Sequence, residues 1–288
     1  MTKIYVTGDT HGLNNIKKIH DFLNTIDGDS LTKNDYMIVL GDFGVCWYGN
    51  RSLETQRKME KQLDEEINNI RNMPSAKALS DDDFEFYRQV KLFEIDQKLS
   101  HDESVRDFWD NMPWTTLFID GNHENHELLD SYLIEEWNGG KIHKISDSIY
   151  HLLRGQVFNI DGITLFTMGG AESIDKKYRK EGVSWWSREM PSEEEYKEAV
   201  NNLNKHNRTV DCVLTHCAPE DYLNKRKMNV MNYHSSNELE KFFDIIAGSP
   251  SIKYKGWYFG HYHDDVDQGE FHMLYDRVIE LTKSDNQF

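Results

Sequence analysis

Val6-Thr7-Gly8-Asp9-Thr10-His11-Gly12, reached through Ile4 and Tyr5, is the stretch from which the fold can be read. A β-branched and aromatic run ending in Gly-Asp predicts a buried strand that stops and delivers Asp9 and His11 into a loop at its carboxyl end. A carboxylate and an imidazole two residues apart can grip one metal ion, although Asp9 would equally cap a helix beginning near Leu13. The first alternative gains weight because four later segments repeat the pattern. Tyr36 to Leu40 runs into Gly41-Asp42-Phe43-Gly44, and Thr115 to Ile119 runs into Gly121-Asn122-His123-Glu124. Cys212 to Leu214 leads to Thr215-His216, and Trp257 to Phe259 leads to Gly260-His261-Tyr262-His263.

Residues 3 to 48 read as strand, helix, strand, with Ile16, Ile19 and Leu23 at helical spacing. Such a βαβ unit implies a parallel sheet with a right-handed crossover, and ligands bind beyond the carboxyl ends of its strands. Residues 51 to about 105 break the rhythm with a helical hairpin. One stripe holds Met59, Leu63, Ile67 and Ile70; Pro74 and Ser75 make the break; Ser80 and three aspartates start the second helix. The second stripe holds Phe86, Val90 and Phe93 beside Leu92, Ile95 and Leu99, and both stripes are expected to complete the core. Because the insertion leaves the sheet right after Asp42, it is expected at the rim of the site, as a substrate cap or a contact for a protein partner. The α/β pattern resumes at Trp114, with a helix expected from Glu124 to Leu133 and a hairpin turning at Asp161-Gly162. Further helices are expected after Pro191-Ser192 and from Asn237 to Ala247, and two closing strands between Val266 and Leu281. The expected organisation is a single domain over 1–288 with the insertion inside it.

The chain has 288 residues, 38% of them hydrophobic and 29% charged, enough for a packed core under a polar surface. No apolar run approaches membrane-spanning length, and no signal peptide is read before the first strand, so a cytoplasmic protein is expected. Cys46, Cys212 and Cys217 lack paired spacing and suggest neither a disulfide framework nor a zinc ribbon. Cys217 is expected to pack as a small residue beside His216. A net charge of -17 disfavours long nucleic acid as a partner, because such binding rests on Lys and Arg displacing counterions.

Asp9, His11, Asp42, Asn122, His216, His261 and His263 form an oxygen and nitrogen donor set suited to two divalent ions such as Mn, Fe, Zn or Ni, with Mn favoured. Two ions about 3.5 to 4 Å apart need a bridging anionic ligand, for which Asp42 is the natural candidate, and a bridging hydroxide would be a nucleophile toward phosphorus at neutral pH. His123, next to Asn122, is expected to face substrate and to donate a proton to the departing alkoxide.

With these blocks in this order, the chain resembles the calcineurin-like metallophosphoesterases over residues 3 to 48 and about 114 to 280. The resemblance implies an α/β fold, a four-layer αββα sandwich of mixed sheets, and a dinuclear centre. It implies Asp9, His11 and His263 on one metal, Asn122, His216 and His261 on the other, Asp42 between them, and His123 as the acid or phosphate-contacting histidine. The first and third blocks are also similar to the phosphoprotein phosphatase branch. There the second block continues Gly-Asp-x-Val-Asp-Arg-Gly, whereas this chain has Gly41-Asp42-Phe43-Gly44-Val45-Cys46-Trp47 and lacks the phosphate-clamping arginine.

Another group is then expected to hold the phosphate or leaving group, and one loop offers cations for it, the alternative being a solvated loop pinned by two packed tryptophans. Lys176, Lys177, Arg179, Lys180 and Arg188 cluster with Trp185 and Trp186 after Gly169-Gly170, and Asn122 is a further candidate for substrate contact. Lys225, Arg226 and Lys227 invite the same role with less support. The other histidines, His126 and His234 among them, are expected to be structural or on the surface. The expected activity is hydrolysis of a small phosphate monoester or diester, nucleotides included. The alternatives are a serine/threonine phosphoprotein phosphatase and a non-catalytic scaffold that binds protein through the insertion.

Overall fold

The computed structural model describes residues 2–26, 30–49, 52–226 and 237–283. Lys227 and His234 lie outside them. The chain divides into two compact units, Met1–Val45 with Trp109–Phe288, and Cys46–Phe108.

The larger unit is built on two mixed sheets. In the first, β1 (Ile4–Thr7), β2 (Tyr36–Leu40), β3 (Thr115–Ile119), β4 (Ile134–Trp137), β5 (Gly140–Lys144) and β6 (Ile149–Leu152) join a strand from the end of the chain, Val278–Glu280. The second holds β7 (Gln156–Ile160), β8 (Ile163–Met168), β9 (Cys212–Thr215), β10 (Gly256–Phe259), β11 (Val266–Gln268) and β12 (Phe271–Met273), so Val278–Glu280 is β13. Their orders are β13-β1-β2-β3-β6-β5-β4 and β11-β12-β10-β9-β8-β7. Each has four parallel strands at its centre, β1-β2-β3-β6 and β12-β10-β9-β8, with antiparallel strands outside them.

Alternation along the strands explains the layering. Ile4, Val6, Ile38, Leu40, Leu117 and Ile119 face Phe158, Leu165, Cys212 and Leu214 in one apolar cluster between the sheets. The opposite side of β1 presents Tyr5 to Phe22 of α1 (Lys17–Thr25). The far side of the second sheet, through Val213, Trp257 and Phe259, packs on Ala199, Leu223 and Phe243, which come from three later helices. Strands buried on both faces read as the near-continuous apolar runs seen in the sequence.

In the smaller unit α2 (Leu53–Arg71) and α3 (Asp81–Asp110) form the expected hairpin around Pro74–Ala76. Arg71–Asp81, Tyr87–Glu66 and Arg88–Asp64 contacts run antiparallel along it, and Leu63, Ile67 and Phe84 make its small core. Here the expectation for the second stripe fails in part. Leu92 and Ile95 pack on that core, but Phe86, Val90 and Phe93 lie about half a turn away and are exposed. Asp102, wholly buried, accepts hydrogen bonds from the backbone N–H groups of Trp47, Tyr48 and Gly49.

Two other expectations need correction. The helix after Glu124 is only α4 (His126–Leu129), because the chain turns at Asn138-Gly139 into the β4–β5 hairpin. Both turn residues have positive φ, 48° and 91°, as a tight hairpin of this kind requires. The chain closes in three strands, β11 to β13, not two. Two later helices stand where expected and one is additional: α5 (Glu193–Lys205) opens on a Ser192–Glu195 capping box, the short α6 (Glu220–Lys225) is not among the expected helices, and α7 (Glu238–Gly248) is capped by Asn237. Among the described residues no helix is long and apolar enough to cross a membrane.

Candidate metal centre

The carboxyl ends of β1, β2, β3, β9 and β10 bring the predicted ligands together. Among the described residues, Asp9, His11 and His263 form one group and Asp42, His216 and His261 another, with the ligand atoms of each group within 4.8 Å of one another. Asp42 reaches both groups, with Oδ1 3.3 Å from His216 Nε2 and Oδ2 3.9 Å from His11 Nε2. Asn122 Oδ1 lies 3.3 Å from His216 Nε2 and so borders the second group.

This convergence explains why glycine precedes so many of these residues. A Cβ on Gly41 would come within 2.2 Å of His216 Nδ1, one on Gly121 within 2.0 Å of Asp42 Oδ1, and one on Gly260 within 2.2 Å of Asp9 Oδ1. Each strand end therefore leaves a bare backbone face for a ligand arriving from another strand. His11, Asp42, His261 and His263 also hold φ between 46° and 69°, a conformation that costs energy in a non-glycine residue and clusters at functional sites.

The residues fit divalent cations. Asp9 Oδ2 is sealed from solvent and receives no hydrogen bond, with His11 Nε2 and His263 Nε2 3.9 and 3.2 Å away. Three ligand atoms around one point, two of them ring nitrogens 3.2 Å apart, form a pattern that a cation completes. The electrostatics agree. Burial opposes charge on His216, yet the Asp42 and Asp9 carboxylates push its pKa up to about 10, the response of a pocket that seeks positive charge. Beside it, desolvation and the facing His216 push the partly buried His261 down to about 3, which keeps its ring neutral and free to bind a cation.

A family model, calcineurin-like phosphoesterase, matches residues 2–265. The chain belongs to the calcineurin-like phosphoesterase family. Members of this family are metal-dependent hydrolases with a dinuclear centre, and this calcineurin-like phosphoesterase is accordingly a hydrolase of phosphoester bonds. A search of curated protein sequences finds no match for it.

His123 stands at the edge of the centre, its backbone N–H donating to Asp42 Oδ1 at 2.7 Å and its ring 5.5 Å from that of His11. Burial lowers its pKa, and the Arg179 guanidinium lowers it further against the pull of Asp42. Arg179 is the loop cation that reaches it, with nitrogens 3.1 and 3.4 Å from the two ring nitrogens of His123 and a salt bridge to Asp175. Lys176 pairs with Glu172 and lies over the Trp185 ring, and Lys177 lies over Tyr178. Arg188, expected on substrate, instead forks onto Glu195 with two 2.9 Å hydrogen bonds and also meets Asp130. Its charge is spent where α5 begins. Cys217 packs in the apolar cluster behind the site, as expected.

Several residues that hold this phosphoesterase site escaped the sequence reading. Glu124, fully buried, accepts the Phe43 N–H at 2.7 Å and so pins the loop carrying Asp42. Lys18 donates its buried ammonium to the Gly8 and Asp9 carbonyls at 2.9 and 2.7 Å, and to Tyr275, whose ring stacks on His263. Asp120, next to Gly121, is held by Arg154 and His151 and borders His126. Glu124 alone carried a signal, as the last residue of the Gly-Asn-His-Glu block. The others act through contacts with no regular spacing.

Proposed function

We propose that the chain hydrolyses small phosphate monoesters or diesters, nucleotide-type esters among them, at a pair of divalent cations, manganese foremost. In this reading Asp9, His11 and His263 hold one ion, Asn122, His216 and His261 hold the other, and Asp42 serves both. When bound, the two cations supply an activated water and neutralise charge on the phosphoryl group.

The chain's own residues do the rest. His123 donates a proton to the departing alkoxide, oriented by the bond from its backbone to Asp42. Arg179 meets a phosphoryl oxygen with its planar fork, the role left open by the missing arginine of the second block. Lys176, Lys177 and Trp185, on the same loop, receive the leaving group. The observation that carries the reading is the contact between Arg179 and His123 beside two Asp/His groups joined by Asp42.

The first test is to strip the protein of metal, reload it with Mn, and assay para-nitrophenyl phosphate and its bis diester in parallel, with Asp42→Asn as control. Metal-dependent turnover lost in the variant supports the reading, and the preferred ester names the substrate class. Equal rates in Asp42→Asn and the native chain would overturn it. A panel of phosphopeptides assayed beside nucleotides tests the phosphoprotein phosphatase alternative, which turnover of phosphopeptides alone would favour. One observation supports a protein-contact role for the helical unit, the exposed Phe86, Val90 and Phe93.

A further inference from the structure

Asn122 is buried, and its amide donates from Nδ2 to Ser173 Oγ at 3.1 Å. Ser173, also buried, donates that hydroxyl to Glu189 Oε2 at 2.6 Å, and its backbone N–H to Glu189 Oε1 at 2.9 Å. Glu189, only 1% exposed, is fixed in turn through its carbonyl, which accepts from Arg154 at 3.0 Å.

The direction of this relay is set by chemistry. A carboxylate only accepts, so the single hydroxyl proton of Ser173 must go to Glu189. A lone pair of Ser173 then faces Asn122 and can be met only by an N–H of the amide. The carboxamide is thereby turned so that Oδ1 points the other way, toward His216. An oxygen there can bind a cation, and an NH2 group cannot.

We infer that Ser173 and Glu189 are positioning residues that set the orientation of the Asn122 carboxamide and present its oxygen as a metal ligand. The inference rests on the assignment of Asn122 to the ion held by His216 and His261. The relay also ties that ligand to both ends of the segment carrying Arg179, since Ser173 precedes Arg179 and Glu189 follows it. Ligand orientation by partners one step behind the metal is a general source of affinity, with losses of about 10- to 100-fold when such partners are removed.

Glu189→Gln tests the polarity with almost no change of shape. A glutamine NH2 donating to Ser173 Oγ frees the hydroxyl proton to point at Asn122, and the amide flips to put its NH2 where the oxygen was. Mn binding is measured by calorimetry on the native chain, Glu189→Gln, Ser173→Ala, Ser173→Thr and Asn122→Ala. The expected result is that Glu189→Gln and Ser173→Ala weaken one of the two Mn equivalents about tenfold or more and leave the other unchanged, while Ser173→Thr binds both as the native chain does. Loss of one equivalent in Asn122→Ala with native binding in both Glu189→Gln and Ser173→Ala would overturn the relay. Native binding in Asn122→Ala would instead overturn the ligand assignment beneath it. Circular dichroism of each variant separates these outcomes from failure to fold, and Ser173→Ala keeps the test open should Glu189→Gln not fold.

Discussion

Asp9, His11 and His263 form the outer half of the ligand cluster and Asp42, His216 and His261 the inner half, and the two are held in different ways. The His263 side chain is 48% exposed and that of His11 23%, while Asp42 and His216 are buried. The outer half is backed by the Lys18 ammonium, which gathers backbone carbonyls, and by the ring of Tyr275 under His263. The inner half is backed by a backbone carbonyl and by a chain of buried side chains: His216 Nδ1 meets the Leu40 carbonyl at 2.6 Å, and behind Asn122 lie Ser173, Glu189, Arg154 and Asp120. A site so divided has an inner half preorganised by many fixed partners and an outer half open to solvent, substrate and exchange.

Asp42 faces His216 with one oxygen and His11 with the other, so its removal has the largest expected effect. Asp42→Asn is expected to lower kcat by about 10³-fold and to weaken both Mn equivalents in calorimetry. Weakening of one equivalent alone would break the comparison by assigning Asp42 to one half. Next comes His123→Ala, with kcat on an alkyl phosphate expected to fall by about 10²-fold or more. A para-nitrophenyl ester, whose leaving group needs no proton, should lose much less. Mn stoichiometry should not change, and an equal loss on both esters would remove His123 from the role of acid.

How much of this could be read from sequence follows the same division. The candidate ligands are legible because each strand end is a local signal, an apolar run closed by Gly or Thr and a ligand-type residue. The glycines carry long-range information in local form, since Gly41, Gly121 and Gly260 are bare where a ligand from another strand approaches. The partners of the ligands were not legible. Ser173 lies 51 residues from Asn122, and Lys18 meets Tyr275 across 257 residues, with no periodicity to announce either. In the fold, the β4–β5 hairpin is hard to read although Asn138-Gly139 is a strong turn signal, because β4 is a short, mostly exposed strand with Glu135 and Glu136 at its centre and carries no apolar run. Phe86, Val90 and Phe93 were merged with a neighbouring stripe from which about half a helical turn separates them.

The outer half should also give up its metal first. With Mn-loaded protein and excess EDTA, release is expected in two phases differing at least about tenfold in rate, on the ground that first-coordination partners held by fixed neighbours release metal more slowly. His263→Ala should accelerate only the fast phase. A single phase, or acceleration of the slow one, would show that both ions share one exit and one degree of exposure.

The gentlest test reads slopes, and the two halves should bend the stability curve in separate pH windows. Behind the inner half, burial pushes His126, beside Asp120, down to about 3, and His143, which meets the Asp120 partner His151 at 3.2 Å, down to about 4, against an ordinary value near 6.5. Between those values and 6.5 the unfolded chain binds protons that the folded chain refuses, so stability is full above pH 6.5 and falls as pH drops toward 4. Each group contributes at most about 1.4 kcal/mol per pH unit. Behind the outer half, burial pushes Lys18 down to about 8 from 10.5, opposed by Asp9. Here too the unfolded chain holds the extra proton, so stability should rise between about pH 8 and 10.5. Urea unfolding as a function of pH should therefore lose slope on the acid side in His126→Gln and on the alkaline side in Lys18→Met, with contributions common to variant and native chain cancelling. Equal slopes in variant and native chain would mean that these groups are not buried as described, and an exchange of windows would mean that the two halves have been assigned the wrong supports.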